Sequence, residues 1–241
     1  SSNVKPSWCA ERAREWGVGS PLYETRVLGR FADAGDGVLF PLSMIEAAIN
    51  RELAEPTAEV TLGVDVARSV NGDANCVAVC RGGRLESLHL WREPDAMKTV
   101  ARVGHLVVQH GPSRVRVDES GVGAGVVDRL RQLGHPVEGV AFGGGATDNK
   151  RFRNKRAEMF WALRDSTEQG KVSLPDDDEL VADLSALRFE FDQAGRILLE
   201  GKDEVRKRLG RSPDRADAVA LALGIGARQR GWTMRVVDVG I

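Results

Sequence analysis

Cysteine is scarce in this sequence, and its few residues are poorly spaced for a metal site. Among the 241 residues there are 3 cysteines, Cys9, Cys76 and Cys80, and no two of them form a CxxC pair. An odd number without that spacing argues against a disulfide framework and against a zinc site. We therefore expect Cys76 and Cys80 to pack as small apolar residues of strands.

Long apolar runs and an excess of one charge are also missing. No stretch approaches the roughly 20 apolar residues of a membrane helix, and the amino terminus lacks the apolar core of a signal peptide, so we expect a cytoplasmic protein with no membrane partner. Basic and acidic residues nearly balance, at 34 and 35, which excludes a polycation and restricts any nucleic-acid contact to local clusters. The 4 histidines are scattered without ligand spacing, and we assign them no chemistry.

The sequence does contain a regular succession of predicted strands and helices. Three antiparallel strands, with Gly82 and Gly83 as a tight turn, are predicted over residues 60–67, 75–81 and 84–91. Alternating helices and strands then follow over residues 95–110, 114–118, 126–133 and 137–142. The remaining predicted elements are a helix over 154–169, a short helix from Asp177, a hairpin over 187–200 and a last helix. This order predicts an α/β protein of the ribonuclease H-like fold, with a mixed five-stranded sheet flanked by helices and an extra hairpin before the last helix.

Four aspartates stand where such a fold would bury them. Asp65 interrupts the first strand, Asp118 ends the fourth, and Asp214 and Asp217 lie three residues apart on the first turn of the last helix, for which Ser212 is the predicted N-cap. An unpaired buried charge is costly, and we expect no basic residue inside these two strands to balance it. Divalent cations held by oxygen ligands are the partner that this pattern favours. For Asp214 and Asp217, a simple acidic helix start is the alternative interpretation.

Convergence of these aspartates would suit a two-metal site for phosphodiester hydrolysis. In this hypothesis Asp65 bridges both ions, Asp118 holds one, and Asp217 or Asp214 holds the other. Glu119 should face away from Asp118 and have a structural role, because side chains alternate along a strand. The small residues 120–125 could cradle a DNA phosphate or serve only the strand-to-helix turn.

Two basic clusters stand near the predicted metal ligands. The first cluster contains Lys150, Arg151, Arg153, Lys155 and Arg156, and the second contains Lys202, Arg206, Lys207, Arg208 and Arg211. We predict that the first cluster, together with Lys202, binds DNA through its phosphates and independently of sequence. For either cluster a solvated helix face is the alternative.

Six segments in one order carry a family resemblance. They read SPLYETRVLGRF, LGVDVARSVNGDANCVAV, VDESGVGAGVVDRL, NKRAEMFWALRD, LPDDDELVADLSALRF and GKDEVRKRLGRSPDRADAVALAL. Over roughly residues 20–226 the sequence resembles the nuclease half of the large terminase subunit of tailed bacteriophages. The resemblance implies an endonuclease that cuts concatemeric double-stranded viral DNA in the host cytoplasm, with two Mg²⁺ or Mn²⁺ ions. It places the metal ligands on Asp65, Asp118 and the acids of SPDRAD, with Asp217 indispensable and Asp214 a helper.

The resemblance also implies partners and a domain organisation. The packaging ATPase, the portal protein and the small terminase subunit are the expected partners. No GxxxxGK[ST] motif occurs, so this chain lacks the phosphate loop of the ATPase. The chain also begins without Met, and we expect a fragment in which residues 1–57 are a linker or arm to a missing ATPase domain, 58–228 the nuclease domain and 229–241 a tail.

Two rival functions belong to other classes. An actin-like or sugar-kinase ATPase shares the fold and opens with a similar strand, but the chain is too short for its second phosphate-binding hairpin and duplicated domain. A catalytically idle module that docks on DNA or on the portal would retain the acids without cutting. Metal-dependent nicking separates this module from a nuclease.

Overall fold

The described structure, a computed structural model, covers residues 6–29, 37–54, 57–68 and 72–224. The predicted tail over 229–241 lies outside the described residues, as do the last four residues of the predicted nuclease domain. No helix among the described residues is long and apolar enough to cross a membrane.

Helices open the chain, and a five-stranded sheet follows them. The first three helices are α1 (Pro6–Trp16), α2 (Pro21–Arg26) and α3 (Leu42–Ala48). The sheet region contains β1 (Val60–Asp65), β2 (Asn75–Arg81), β3 (Arg84–Trp91), α4 (Ala96–His110), β4 (Arg114–Asp118), α5 (Gly123–Gln132) and β5 (Val137–Val140). The rest comprises α6 (Lys155–Glu168), α7 (Asp178–Ser185), β6 (Phe189–Phe191), β7 (Ile197–Leu199), α8 (Lys202–Leu209) and α9 (Asp214–Leu223).

The sheet has the mixed topology that the sequence predicted. Its strand order is β3-β2-β1-β4-β5. Strands β1, β2 and β3 pair antiparallel, whereas β4 lies parallel to both β1 and β5. Strands β6 and β7 form the separate hairpin. The α/β class, the ribonuclease H-like fold and the hairpin before the last helix are therefore confirmed.

Helices cover both faces of the sheet because its inner strands are apolar on both sides. One face presents Leu62, Val64 and Val117 to α4 and α5. On the opposite face Cys76 and Cys80 are buried against α9, as expected for small apolar residues. Gly63 explains how closely α9 approaches: a Cβ built on it would lie 2.1 Å from the Ala218 carbonyl oxygen.

Residues before β1 pack on the same core. Trp16, Leu22, Phe40 and Ile45 are buried in the cluster that also holds α7 and α9. Helices α1 and α2 were not predicted, because α1 is largely polar and buries only Trp16 and α2 has only six residues. The domain boundary at residue 57 stays a prediction.

The region before α9 differs most from the sequence prediction. Helix α8 was not predicted, because most of its side chains are charged and only Val205 and Leu209 are buried. The prediction that Ser212 caps α9 was wrong. Pro213 occupies the N-cap position, and no described side chain makes a capping hydrogen bond there. The Ser212 carbonyl instead accepts a hydrogen bond from Arg211.

Candidate active site

Three elements bring the four predicted aspartates to one end of the sheet. Asp65 ends β1 and Asp118 ends β4. The two strands are parallel neighbours in register, with Val64 opposite Val117, so the aspartates that follow lie side by side. Helix α9 packs on the sheet against β1, β2 and β4, and it carries Asp214 and Asp217 in its first turn. All four aspartates are buried, and Asp217 is 0% exposed.

Two cations from outside the sheet balance part of this charge. Lys202 Nζ lies 2.7 Å from Asp217 Oδ2 and 3.7 Å from Asp65 Oδ1. Arg156 Nε donates to Asp217 Oδ1 at 3.2 Å, and its Nη1 donates to the Glu200 carbonyl. The positive charge that the buried acids need is therefore supplied by the starts of α6 and α8.

The expectation that no basic residue lies inside the two strands was wrong for β4. Arg116 is buried in β4. It pairs with Glu138 at 3.1 Å and donates to the Leu221 carbonyl at 3.2 Å. Its guanidinium therefore contacts the carboxyl end of α9, away from the acids at that helix's first turn.

The other two aspartates accept hydrogen bonds from a hydroxyl and from backbone N–H groups. Asp118 Oδ1 accepts from the Ser120 hydroxyl at 2.7 Å and from its backbone N–H at 3.1 Å. Asp214 Oδ2 accepts from the Ala74 backbone N–H at 2.8 Å. Each carboxylate is thus held through at least one oxygen.

Burial and the neighbouring charges divide the protonation of the cluster unequally. Burial raises the pKa of Asp65 to about 8; Lys202 opposes the rise, and the carboxylates of Asp217, Asp214 and Asp118 add to it. Burial would also raise the pKa of Asp217, but Lys202 and Arg156 outweigh it and hold that pKa below the usual value. The surroundings therefore favour the ionised form of Asp217 and the protonated form of Asp65.

The donor set fits hard divalent cations. Carboxylate oxygens are the ligands that Mg²⁺ and Mn²⁺ use, and the described partner of Asp217 Oδ2 is the Lys202 ammonium, 2.7 Å away. Within the described residues, however, no three acidic, histidine or cysteine side chains are drawn to one point as around an ion. Two of the acids, Asp65 and Asp217, instead share the ammonium of Lys202.

A cleft of about 280 Å³ leads to this cluster. Asp65, Asp214 and Lys202 line its floor, and the ion pair of Arg206 with Asp73 lies at its edge. Two of the four aspartates, Asp65 and Asp214, therefore line a cleft.

The predicted DNA-binding residues separate into two groups. Lys150, Arg151 and Arg153 are exposed. Lys155 is half-buried and pairs with Glu158 at 2.5 Å. The structure argues against Arg156 as a surface contact to DNA, because it is buried on Asp217. Its inward position follows from the N-cap: Asn154 accepts from the Ala157 N–H and starts α6 two residues before it.

The second basic cluster is mostly paired within the protein. Arg206 pairs with Asp73, Lys207 with Glu204, Arg208 with Glu200 and Arg211 with Asp183. These ion pairs favour a structural role for this cluster, with Lys202 as the exception that reaches the acids.

The loop after Asp118 has the geometry of a structural turn. A Cβ on Gly123 would lie 1.7 Å from the Asp118 carbonyl oxygen, so the close approach of strand and helix requires glycine there. Glu119 lies against Gly139 of β5, where a Cβ would meet its Oε2 at 2.0 Å. This contact agrees with the structural role predicted for Glu119.

Comparison with known proteins was made by sequence and by structure. No family model matches the sequence, and no curated protein matches it. The structure resembles the nuclease domain of the large terminase subunit gp2 of bacterial virus Sf6, with a TM-score of 0.66 and 20% identity over 79% of this chain and 100% of that one. The chain has the ribonuclease H-like fold of terminase nuclease domains. This fold is shared although few residues are identical.

Two further terminase nucleases have the same fold. The nuclease of thermophilic phage G20c, in a structure with bound magnesium, matches with a TM-score of 0.58 and 18% identity over 79% of this chain and 98% of that one. The nuclease domain of Thermus phage P74-26 gives 0.54 and 18% over 75% and 92%. A structure of the Sf6 domain contains manganese.

Proposed function

We propose that this chain is a metal-dependent endonuclease domain that hydrolyses phosphodiester bonds of double-stranded DNA. The observation that carries the proposal is the gathering of four buried aspartates from β1, β4 and α9 at one end of the sheet, where two of them, Asp65 and Asp217, pair with Lys202. Buried acids are costly unless a cation compensates them, and one ammonium with one guanidinium leaves the cluster short of positive charge. Divalent ions bound by a nuclease would supply the missing positive charge.

The proposed ligands are Asp65, Asp118 and Asp217, with Asp214 as a helper. Two divalent ions held there would activate water for attack and stabilise the leaving 3′ oxygen. Asp65 is the acid that interacts electrostatically with all three of the others, which favours it as the ligand shared by the two ions. Lys202 lies in the cleft beside Asp65, where its ammonium can contact the phosphate under attack.

DNA would approach the cleft through its backbone. Lys150, Arg151 and Arg153 are exposed cations on the loop before α6, and the same loop leads through Asn154 to Arg156 at the acids. Contacts of this kind read phosphates and not bases, so binding should be independent of sequence and sensitive to salt.

The biological setting that we propose is genome packaging by a tailed bacteriophage. The domain would cut concatemeric DNA in the bacterial cytoplasm, next to an ATPase domain of the same protein, the portal protein and the small terminase subunit. The terminase nucleases that share this fold support the setting. No ATPase activity is expected of this chain, because it lacks the phosphate loop.

Conversion of supercoiled plasmid to nicked and linear DNA tests the proposal. Wild-type chain, Asp65→Ala and Asp128→Ala would each be incubated with Mg²⁺, Mn²⁺, Ca²⁺ or EDTA. Asp128 is a matched control, because its side chain is 73% exposed on α5. We expect cleavage with Mg²⁺ or Mn²⁺ by the wild type and Asp128→Ala, and none by a folded Asp65→Ala. Cleavage in EDTA, or by Asp65→Ala, contradicts the proposal.

One observation favours a second candidate, a docking module without catalysis. Lys202 already stands between Asp65 and Asp217, which lets the cluster persist without metal. This candidate predicts DNA or portal binding with no nicking under any metal. The actin-like ATPase, tested by ATP binding, has no such observation in its favour.

A further inference from the structure

An aromatic cluster lies beside the β6–β7 hairpin, outside the carboxylate cluster. Trp161 of α6 packs edge-on against Phe189 with ring centroids 5.1 Å apart, and Phe189 in turn lies 5.9 Å from Phe191. Phe152 lies 6.3 Å from Trp161. Phe191 is 64% exposed. We call Phe152, Trp161, Phe189 and Phe191 the aromatic surface.

Arg151 contacts the aromatic surface without a carboxylate partner among the described residues, and Lys150 and Arg153 flank it along the chain. The Arg151 guanidinium lies 5.0 Å from the Phe152 ring centroid and 5.5 Å from that of Trp161. Lys150, Arg151 and Arg153 are exposed and form no ion pair with any described residue. Arginine on aromatic rings, next to unpaired cations, is a combination that nucleic-acid surfaces use.

Backbone hydrogen bonds tie these cations to the hairpin. Arg153 N–H donates to the Ile197 carbonyl at 2.9 Å, and Ile197 N–H donates to the Arg151 carbonyl at 2.8 Å. The hairpin's second strand ends three residues before Lys202, and Arg156 donates to the Glu200 carbonyl at 3.3 Å. The aromatic surface and the carboxylate cluster are therefore held by the same rigid segment.

We infer that the aromatic surface binds unpaired bases of a DNA strand that runs past the carboxylate cleft. Phe191 stacks on a base, while Lys150, Arg151 and Arg153 contact the phosphates on either side. A paired base hides its faces within the duplex, so an exposed ring of this kind selects single-stranded or frayed DNA. The cations favour a nucleic acid over a protein as occupant, because they supply charge that an acidic backbone complements. The path to the cleft rests on the proposed nuclease function; the binding itself does not.

Binding in EDTA tests this inference apart from cleavage. Fluorescence anisotropy would measure the dissociation constants of a labelled single strand and of the blunt duplex of the same sequence. The variants are Phe191→Ala, Phe191→Trp and, as an exposed apolar control on α4, Val108→Ala. We expect Phe191→Ala to weaken single-strand binding about five-fold or more, and duplex binding by less than about two-fold. Phe191→Trp and Val108→Ala should bind as the wild type does.

Two results would overturn the inference. Unchanged single-strand affinity in Phe191→Ala would mean that the aromatic surface does not stack on bases, and would leave a protein as its occupant. An equal loss for strand and duplex would mean that the ring contacts only the backbone. Plasmid cleavage by the wild type, measured separately with Mg²⁺, reports on the nuclease proposal, so a failure of one is distinguishable from a failure of the other.

Discussion

The ammonium of Lys202 lies 2.7 Å from the Oδ2 atom of Asp217. Asp217 is fully buried, and Arg156 meets its other oxygen. This carboxylate is therefore compensated on both sides within the protein, and Asp65 shares the same ammonium at 3.7 Å. The arrangement makes Lys202 a stabilising residue of the metal-free fold and a competitor for any ion that binds between the two acids.

We expect Lys202→Met to destabilise the metal-free protein and to increase its response to metal. Removing one partner of a buried pair costs about 3–5 kcal/mol, and because Lys202 is about a third exposed we expect about 1–3 kcal/mol here. The melting temperature in EDTA should fall by several degrees, and Mn²⁺ should raise it more in the variant than in the wild type. Thermal denaturation with and without Mn²⁺ measures both effects.

The exposed Lys207, which pairs with Glu204 on the same helix, provides the control for that experiment. Lys207→Met should leave both melting temperatures within about one degree of the wild type, since an exposed pair contributes little. An equal metal response in Lys202→Met and wild type would show that the ammonium does not compete with an ion.

Asp217→Asn should impair cleavage more than Asp214→Asn. Asp217 is the most buried of the acids and pairs with both Arg156 and Lys202, whereas one oxygen of Asp214 accepts a hydrogen bond from the Ala74 N–H. We expect at least about a hundred-fold loss of cleavage rate in Asp217→Asn, the scale of a lost catalytic interaction, and a smaller loss in Asp214→Asn. Single-turnover cleavage with Mn²⁺ measures the two rates. The reverse order would reassign the indispensable ligand to Asp214.

The sequence predicted the sheet and its acids because the relevant signals are local. Apolar runs broken by Asp65 and Asp118 mark buried strands, and the three-residue spacing of Asp214 and Asp217 places both on one helix turn. The partners of these acids could not be predicted in the same way. Arg156 and Lys202 belong to charged segments that read as solvated faces, and only tertiary packing turns them toward Asp217.

Helix α8 shows the same limit. Its eight residues are mostly charged, and it contributes only Val205 and Leu209 to the core, so apolar periodicity is too weak to identify it. Serine is a common N-cap residue, but Ser212 is buried and precedes by one position the N-cap of α9, which is Pro213. Local propensity was overridden there by the packing of Arg211 against α7, where Arg211 pairs with Asp183.

Gly63→Ala should destabilise the fold and displace the acids. The added Cβ would lie 2.1 Å from the Ala218 carbonyl oxygen and 2.4 Å from the Ala222 backbone nitrogen, so α9 must move away from β1. We expect a loss of about 2–4 kcal/mol and reduced cleavage. Gly125→Ala, on α5 with nothing within 4 Å, should be neutral or slightly stabilising. Urea denaturation compares them, and equal midpoints would refute the close contact.

Asp183 should make stability depend on pH. Burial raises its pKa to about 7, although Arg211 and Arg215 oppose the rise, while Asp214 adds to it. The unfolded chain loses this proton near pH 4 and the folded protein near pH 7, so the group lowers stability progressively as pH rises between those values. The stability of Asp183→Asn relative to wild type should therefore improve from pH 5 to pH 7, by about 1.4 kcal/mol per pH unit at most. Denaturation curves that run parallel over this range would contradict the assignment.

Arg153 and Arg156 lie three residues apart, and we expect substitution of Arg153 to affect DNA binding and substitution of Arg156 to affect stability. Arg153 is exposed, and its side chain has no ion pair within the described structure, whereas Arg156 is buried on Asp217. Arg153→Ala should leave the melting temperature unchanged, weaken duplex binding and reduce the slope of log Kd against log salt by about one. Arg156→Ala should lower the melting temperature by several degrees, because it leaves a buried carboxylate with one cation fewer. Its salt slope should stay that of the wild type, since no phosphate contact is lost. Anisotropy titrations at several salt concentrations, together with thermal denaturation, separate the two roles. A reduced salt slope in Arg156→Ala would show that Arg156 does contact a DNA phosphate.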